Sequence, residues 1–114
     1  MSAYFGGYNE FVFDDNKLLC YMSDYPMKPL TPNHIIQVHD DADWEALLAF
    51  CSKLKWEAEY YDPNTLDGTQ WEFEFEFLNT KFRTYGSNAY PRGFNSFLRK
   101  LKKVLSKHQI VFDV

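Results

Sequence analysis

The sequence predicts an α+β domain, a mainly antiparallel sheet of four to six strands with two helices packed on one face. Trp71, Phe73, Phe75 and Phe77 alternate with Glu72, Glu74 and Glu76, and a strand sends successive side chains to opposite faces. Trp44, Leu47, Leu48, Cys51 and Leu54 recur at helical spacing, as do Phe94, Phe97, Leu98, Leu101, Val104, Leu105 and His108. An aromatic sheet face needs a cover, and two one-sided helices supply it.

Glu10–Phe13 and Lys17–Met22 are rich in strand formers, with Asp14-Asp15-Asn16 between them as turn residues. A two-residue turn at Asp15-Asn16 pairs Phe13 with Leu18 and Phe11 with Cys20, which keeps apolar residues together. Residues 24–32 hold Pro26, Pro29 and Pro32 and read as a connecting loop. Ile35, Ile36 and Val38 give residues 34–39 strand character. Asp40 or Asp41 caps a helix over residues 40–54, and Asp43 and Glu45 suit its positive end.

Residues 56–60 fit a short strand or a continuing turn, while Asp62-Pro63-Asn64 and Asp67-Gly68 mark turns. The aromatic strand is expected to turn at Asn79-Thr80. That register sets Phe77 against Phe82 and Phe75 against Thr84, and on the other face Glu76 against Arg83 and Glu74 against Tyr85. Gly86 to Pro91 closes the strand, and Pro91 suits the start of a second helix over residues 92–108. Ile110, Val111 and Phe112 offer a short edge strand within residues 109–114.

A chain of 114 residues has the length of one domain, and 19% aromatic residues point to a core of large flat side chains. No apolar run approaches the roughly 20 residues of a membrane span, and the N-terminus lacks a basic-then-apolar pattern. The expectation is a soluble, cytoplasmic protein. Cys20 and Cys51, the only cysteines, lie in apolar settings and read as buried reduced thiols. Residues 1–91 hold six Lys/Arg against fifteen Asp/Glu, whereas residues 92–108 hold six Lys/Arg and no acid. The molecule is acidic with one basic element.

Four features are candidates for chemistry. Glu72, Glu74 and Glu76 resemble acid–base or metal-binding carboxylates, but they stand solvated about 7 Å apart on one strand face, which leaves an electrostatic contact surface. His34 and His39, five residues apart, point to opposite faces of a strand and make a poor joint metal site; His108 suits the negative end of a helix. Arg99, Lys100, Lys102, Lys103 and Lys107 lie off the apolar stripe as a positive ridge able to meet phosphate, an acidic protein or the chain's own acids. Ser87, Asn88 and Tyr90 belong to a connector that lacks a phosphate-cradling glycine pattern and offers a shaped binding loop. Ser87 has no base and orienting acid in view.

Asp67-Gly68-x-x-Trp71-x-Phe73-x-Phe75, Tyr85-Gly86-Ser87-Asn88-Ala89-Tyr90-Pro91, Phe94 and Phe97-Leu98 together resemble the C-terminal signature of small uncharacterised bacterial proteins. The resemblance covers roughly residues 56–105. It implies an α+β fold and a bacterial or mobile-element origin, and brings no activity with it.

The expected function is therefore a non-enzymatic protein-interaction module, a small bacterial or mobile-element inhibitor of the immunity or anti-defence type, acting through its acidic face on a protein partner. The alternative is nucleic-acid binding through the basic helix 92–108, and a small hydrolase using His34 or His39 comes third. No catalytic residue, metal, cofactor or membrane partner is expected.

Overall fold

A computed structural model describes residues 1–6, 8–23, 27–62, 70–77, 80–87 and 89–112. In chain order these form β1 (Ser2–Phe5), β2 (Tyr8–Asp14), β3 (Lys17–Ser23), β4 (His34–Gln37), α1 (Ala42–Ser52), β5 (Glu59–Tyr61), β6 (Gln70–Phe77), β7 (Thr80–Ser87) and α2 (Phe94–Ser106). One seven-stranded sheet runs in the order β4-β3-β2-β1-β6-β7-β5. Neighbours are antiparallel except β5 and β7, which are parallel. α1 thus carries the chain from one sheet edge to the other. The fold is α+β as expected, with seven strands in place of four to six.

The β2–β3 hairpin follows its turn chemistry. Asp15 and Asn16 both take positive φ, 48° and 61°, which matches the right-handed twist of paired strands and suits Asp and Asn better than most residues. Phe13 then faces Leu18 and Phe11 faces Cys20.

The β6–β7 hairpin differs from expectation by two residues. Phe77 pairs with Thr80, Phe75 with Phe82 and Phe73 with Thr84, so Thr80 belongs to the strand rather than the turn. On the other face Glu76 meets Lys81, Glu74 meets Arg83 and Glu72 meets Tyr85, in place of the expected Glu76–Arg83 and Glu74–Tyr85 pairs. A slip of two preserves both faces, so alternation alone cannot select the register. The observed one packs the Phe75 ring against that of Phe82, with centroids 5.6 Å apart. It also places the Thr84 hydroxyl 2.5 Å from the Glu57 carbonyl to which it donates.

Asp41 caps α1, its Oδ1 accepting from the amides of Asp43 at 2.9 Å and Trp44 at 3.0 Å. Trp44, Leu47, Leu48 and Cys51 form its buried face. α2 begins at Phe94, later than expected, because Gly93 at φ 90° is its N-cap and a left-handed residue lies outside a helix. It ends at Ser106, which leaves His108 exposed beyond the helix instead of on its apolar face.

Both helices cover the same sheet face. Phe5 is the hub there, its ring within 6.5 Å of those of Phe11, Phe94, Phe97 and Phe112. Residues 110–112 form no strand; Ile110 and Phe112 are buried and Val111 is exposed. Phe112 sits 4.9 Å from both Phe5 and Phe11, where ring burial is worth more than one added edge pairing. The expected turns at Asp62-Pro63-Asn64 and Asp67-Gly68, together with Pro26, Leu78, Asn79, Asn88, Val114 and the side chain of Phe77, fall wholly or partly outside the described residues. No helix among the described residues is long and apolar enough to cross a membrane.

Candidate functional site

Side chains alternate on every strand, so the register of the sheet determines what lines up on the face the helices leave open. Tyr21 stands opposite Glu10, Glu10 opposite Tyr4, Tyr4 opposite Glu72, Glu72 opposite Tyr85, and Tyr85 beside Glu59. Tyrosine and glutamate thus alternate in one row across β3, β2, β1, β6, β7 and β5. No stretch of sequence contains this row; it exists only once the strand order brings distant segments together.

The row is knitted by its own hydrogen bonds. The Tyr8 hydroxyl, beside the row, donates to Glu10, and the Tyr4 and Tyr8 rings meet edge-on at 5.3 Å. Burial, and then the Glu10 bond and charge, push the Tyr8 phenol well above its ordinary value. The Glu59 charge, with burial and a hydrogen bond to Glu59, raises Tyr85 as well. Both raised phenols, Tyr8 and Tyr85, keep their protons and can donate to the neighbouring carboxylates.

Cations settle on it. Lys28 Nζ lies 4.5 Å from the centre of the Tyr21 ring and 3.7 Å from Glu10. An Arg83 nitrogen donates to Glu72 Oε1 at 2.8 Å. That bond, and then the charges of Glu72 and Glu74, raise the guanidinium above its ordinary value.

Two adjoining depressions follow the row and share Tyr4, Glu72 and Arg83. The larger, about 700 Å³, is walled by Tyr4, Tyr61 and Tyr85 and floored at Gly86. Tyr61 is 64% exposed and Tyr85 45%, large fractions for aromatic rings. Gly86 is required at this floor, since a Cβ there would stand 2.4 Å from Trp71 Nε1. That nitrogen donates to the Ala89 carbonyl at 2.9 Å, which fastens the connector to the sheet.

The predicted candidates fall in separate places. Glu72, Glu74 and Glu76 are exposed on the open face, with Glu72 in the row and Arg83 bonded to it rather than to Glu76. Ser87 lines the larger depression. Tyr90 is exposed, its ring tilted against that of Phe94 with centroids 4.9 Å apart, while Asn88 lies outside the described residues.

The basic ridge is interrupted. Lys107 Nζ lies 2.6 Å from Asp41 and 3.0 Å from Asp43, and Lys103 Nζ is 3.4 Å from Asp43. Lys100 and Lys102 lie over the Phe50 and Phe112 rings at 5.4 and 5.9 Å, and Arg99 donates to Ser96 at 2.9 Å. The chain's own acids and rings therefore engage much of the ridge.

His39 Nε2 lies 3.2 Å from Asp40, both largely exposed, and neither His34 nor His39 lines either depression. No group of three or more His, Cys, Asp or Glu able to hold a metal occurs among the described residues. Cys20 and Cys51 are free thiols, both fully buried. The sequence showed the glutamate comb and Tyr85 on its face, though opposite Glu74 rather than Glu72, and it did not show Tyr4, Glu59 and Glu10, whose signal is cross-strand alignment. No family model, curated protein or solved structure matches the chain.

Proposed function

We propose that this chain is a non-enzymatic protein-interaction module that captures a partner protein on the uncovered face of its sheet. One observation carries the reading: the face opposite the helices presents an aligned tyrosine–glutamate row beside an aromatic depression of about 700 Å³. Tyrosine supplies large, stiff contact area with a polar tip, a combination favoured at protein interfaces. The glutamates add a negative field that selects a basic partner and speeds encounter. A compact acidic domain of this kind suits an inhibitor that occupies a basic, nucleic-acid-binding groove. With the resemblance of residues 56–105, this gives a cytoplasmic bacterial or mobile-element protein of the immunity or anti-defence type.

Nucleic-acid binding through α2 is the weaker reading. Lys103 and Lys107 are paired with Asp41 and Asp43, and the acidic remainder of the surface repels a polyanion.

Immobilised wild-type protein should retain a stoichiometric partner from host lysate. The variant with Glu72, Glu74 and Glu76 reversed to lysine should lose it while keeping its folded circular-dichroism spectrum, and the variant with Arg99 and Lys100 reversed to glutamate should keep it. Retention by the first variant and loss by the second would reject the open face as the interface. A steep fall of binding to mixed DNA or RNA with added salt would favour the basic helix.

A further inference from the structure

We infer that the tyrosine–glutamate row is a track for an extended basic segment of a partner protein bearing arginine at every third position. This rests on the open face being the interface, and it adds the chemistry and spacing of what binds there.

The chemistry is already displayed within the chain. Lys28 takes one seat, its ammonium 4.5 Å from the Tyr21 ring centre and 3.7 Å from Glu10. Arg83 takes a second through Glu72 at 2.8 Å. The third pair, Tyr85 and Glu59, has no cation against it among the described residues, and it lies at the end of the row where Tyr85 and Tyr61 are most exposed. A guanidinium suits such a seat better than an ammonium. Its plane stacks on a phenol ring while its edge donates to a carboxylate. If an incoming arginine takes Glu72, Arg83 can turn to Glu74, its direct cross-strand partner.

The spacing follows from sheet geometry. Glu10 and Glu72 flank Tyr4, and Glu72 and Glu59 flank Tyr85. Successive glutamates are thus two strand spacings apart, about 9.5 Å. A polyproline II segment rises about 3.1 Å per residue with three residues per turn, so every third side chain recurs on one side at about 9.3 Å. Its other side chains meet the tyrosine faces, as extended proline-rich segments do in aromatic grooves. A run of adjacent arginines would place one cation per seat and leave the rest unpaired. A nucleic acid would set its phosphates against the same carboxylates.

The test is fluorescence polarisation with a labelled synthetic peptide of four Arg-Pro-Pro repeats and a second of identical composition with its arginines in one block. The spaced peptide should bind wild-type protein, and more tightly than the blocked one by about tenfold. Glu59→Gln and Tyr85→Ala, both exposed positions, should each weaken it by about tenfold without moving the melting temperature. Failure of the spaced peptide to bind, equal binding of both peptides, or unchanged binding by Glu59→Gln would overturn the assignment. If the peptide fails while the glutamate-reversed variant still loses its protein partner, only the arginine track falls and the interface stands.

Discussion

The Trp71 indole fills the space that a side chain at residue 86 would need, 2.4 Å from where a Cβ on Gly86 would stand. Trp71 is 2% exposed and bonded through Nε1 to Ala89, so the ring cannot yield without losing that bond. Gly86→Ala should therefore destabilise the fold by about 2 kcal/mol in urea denaturation. Combined with Trp71→Phe, it should cost less than the sum of the two single changes. Additive losses would mean that the two residues do not compete for this space.

Thr84 is fully buried and its hydroxyl satisfies the Glu57 carbonyl, which holds the approach to β5 against β7. Thr84→Val keeps the shape and removes the donor, and should cost about 1–2 kcal/mol. Thr84→Ser should retain most of the stability. Thermal melts of the two variants decide it, and equal melting temperatures would mean that the bond contributes nothing to stability.

The contact between α2 and the cap of α1 should make stability fall in acid. The Lys107 bond, with further help from Lys103, holds Asp43 below its ordinary value. Burial raises Asp41, but the Lys107 bond and the Trp44 amide outweigh it and leave Asp41 low as well. Depressed carboxylates contribute stability above their ordinary range near pH 4 that is lost as pH falls through the lowered values. Lys107, raised first by its bond to Asp41, contributes up to its ordinary value of 10.5 and loses that contribution as pH rises through the raised one. Melting temperature should plateau between these limits. Lys107→Met should flatten the acid limb, and Asp41→Ala should cost about 1–2 kcal/mol through the lost cap.

Burial pushes the thiols of Cys20 and Cys51 up to about 12, so almost no thiolate exists near neutral pH. A chromogenic disulfide reagent should label neither thiol in the folded protein and both in denaturant. Rapid labelling of either one in native buffer would contradict the buried placement.

Local pattern made the strands and helices legible, while relations between distant segments were not. The β2–β3 register could be read because Asp15 and Asn16 tolerate positive φ and fix a two-residue turn. The β6–β7 register could not, since a slip of two leaves every aromatic and every glutamate on its own face. β1 is too short to show a period, and β5, three residues long, is held by a parallel partner more than twenty positions away. Phe112 reads as strand because one strong aromatic looks the same in a strand as in a coil plugging the core. Glu72 was visible as a carboxylate, but its place between Tyr4 and Tyr85 depends on two separate strand pairings. A pass along the chain cannot align residues through those pairings.

The open sheet face, rather than the basic helix, is the surface proposed to meet the partner. Amide chemical-shift mapping on nitrogen-labelled protein, titrated with the spaced arginine peptide, tests it most directly. Shifts should gather on β1, β6, β7 and β5 around Tyr4, Glu72, Tyr85 and Glu59 and leave the amides of α2 unmoved. Shifts gathered on residues 94–106 of α2, with the Tyr4–Glu59 row silent, would contradict it.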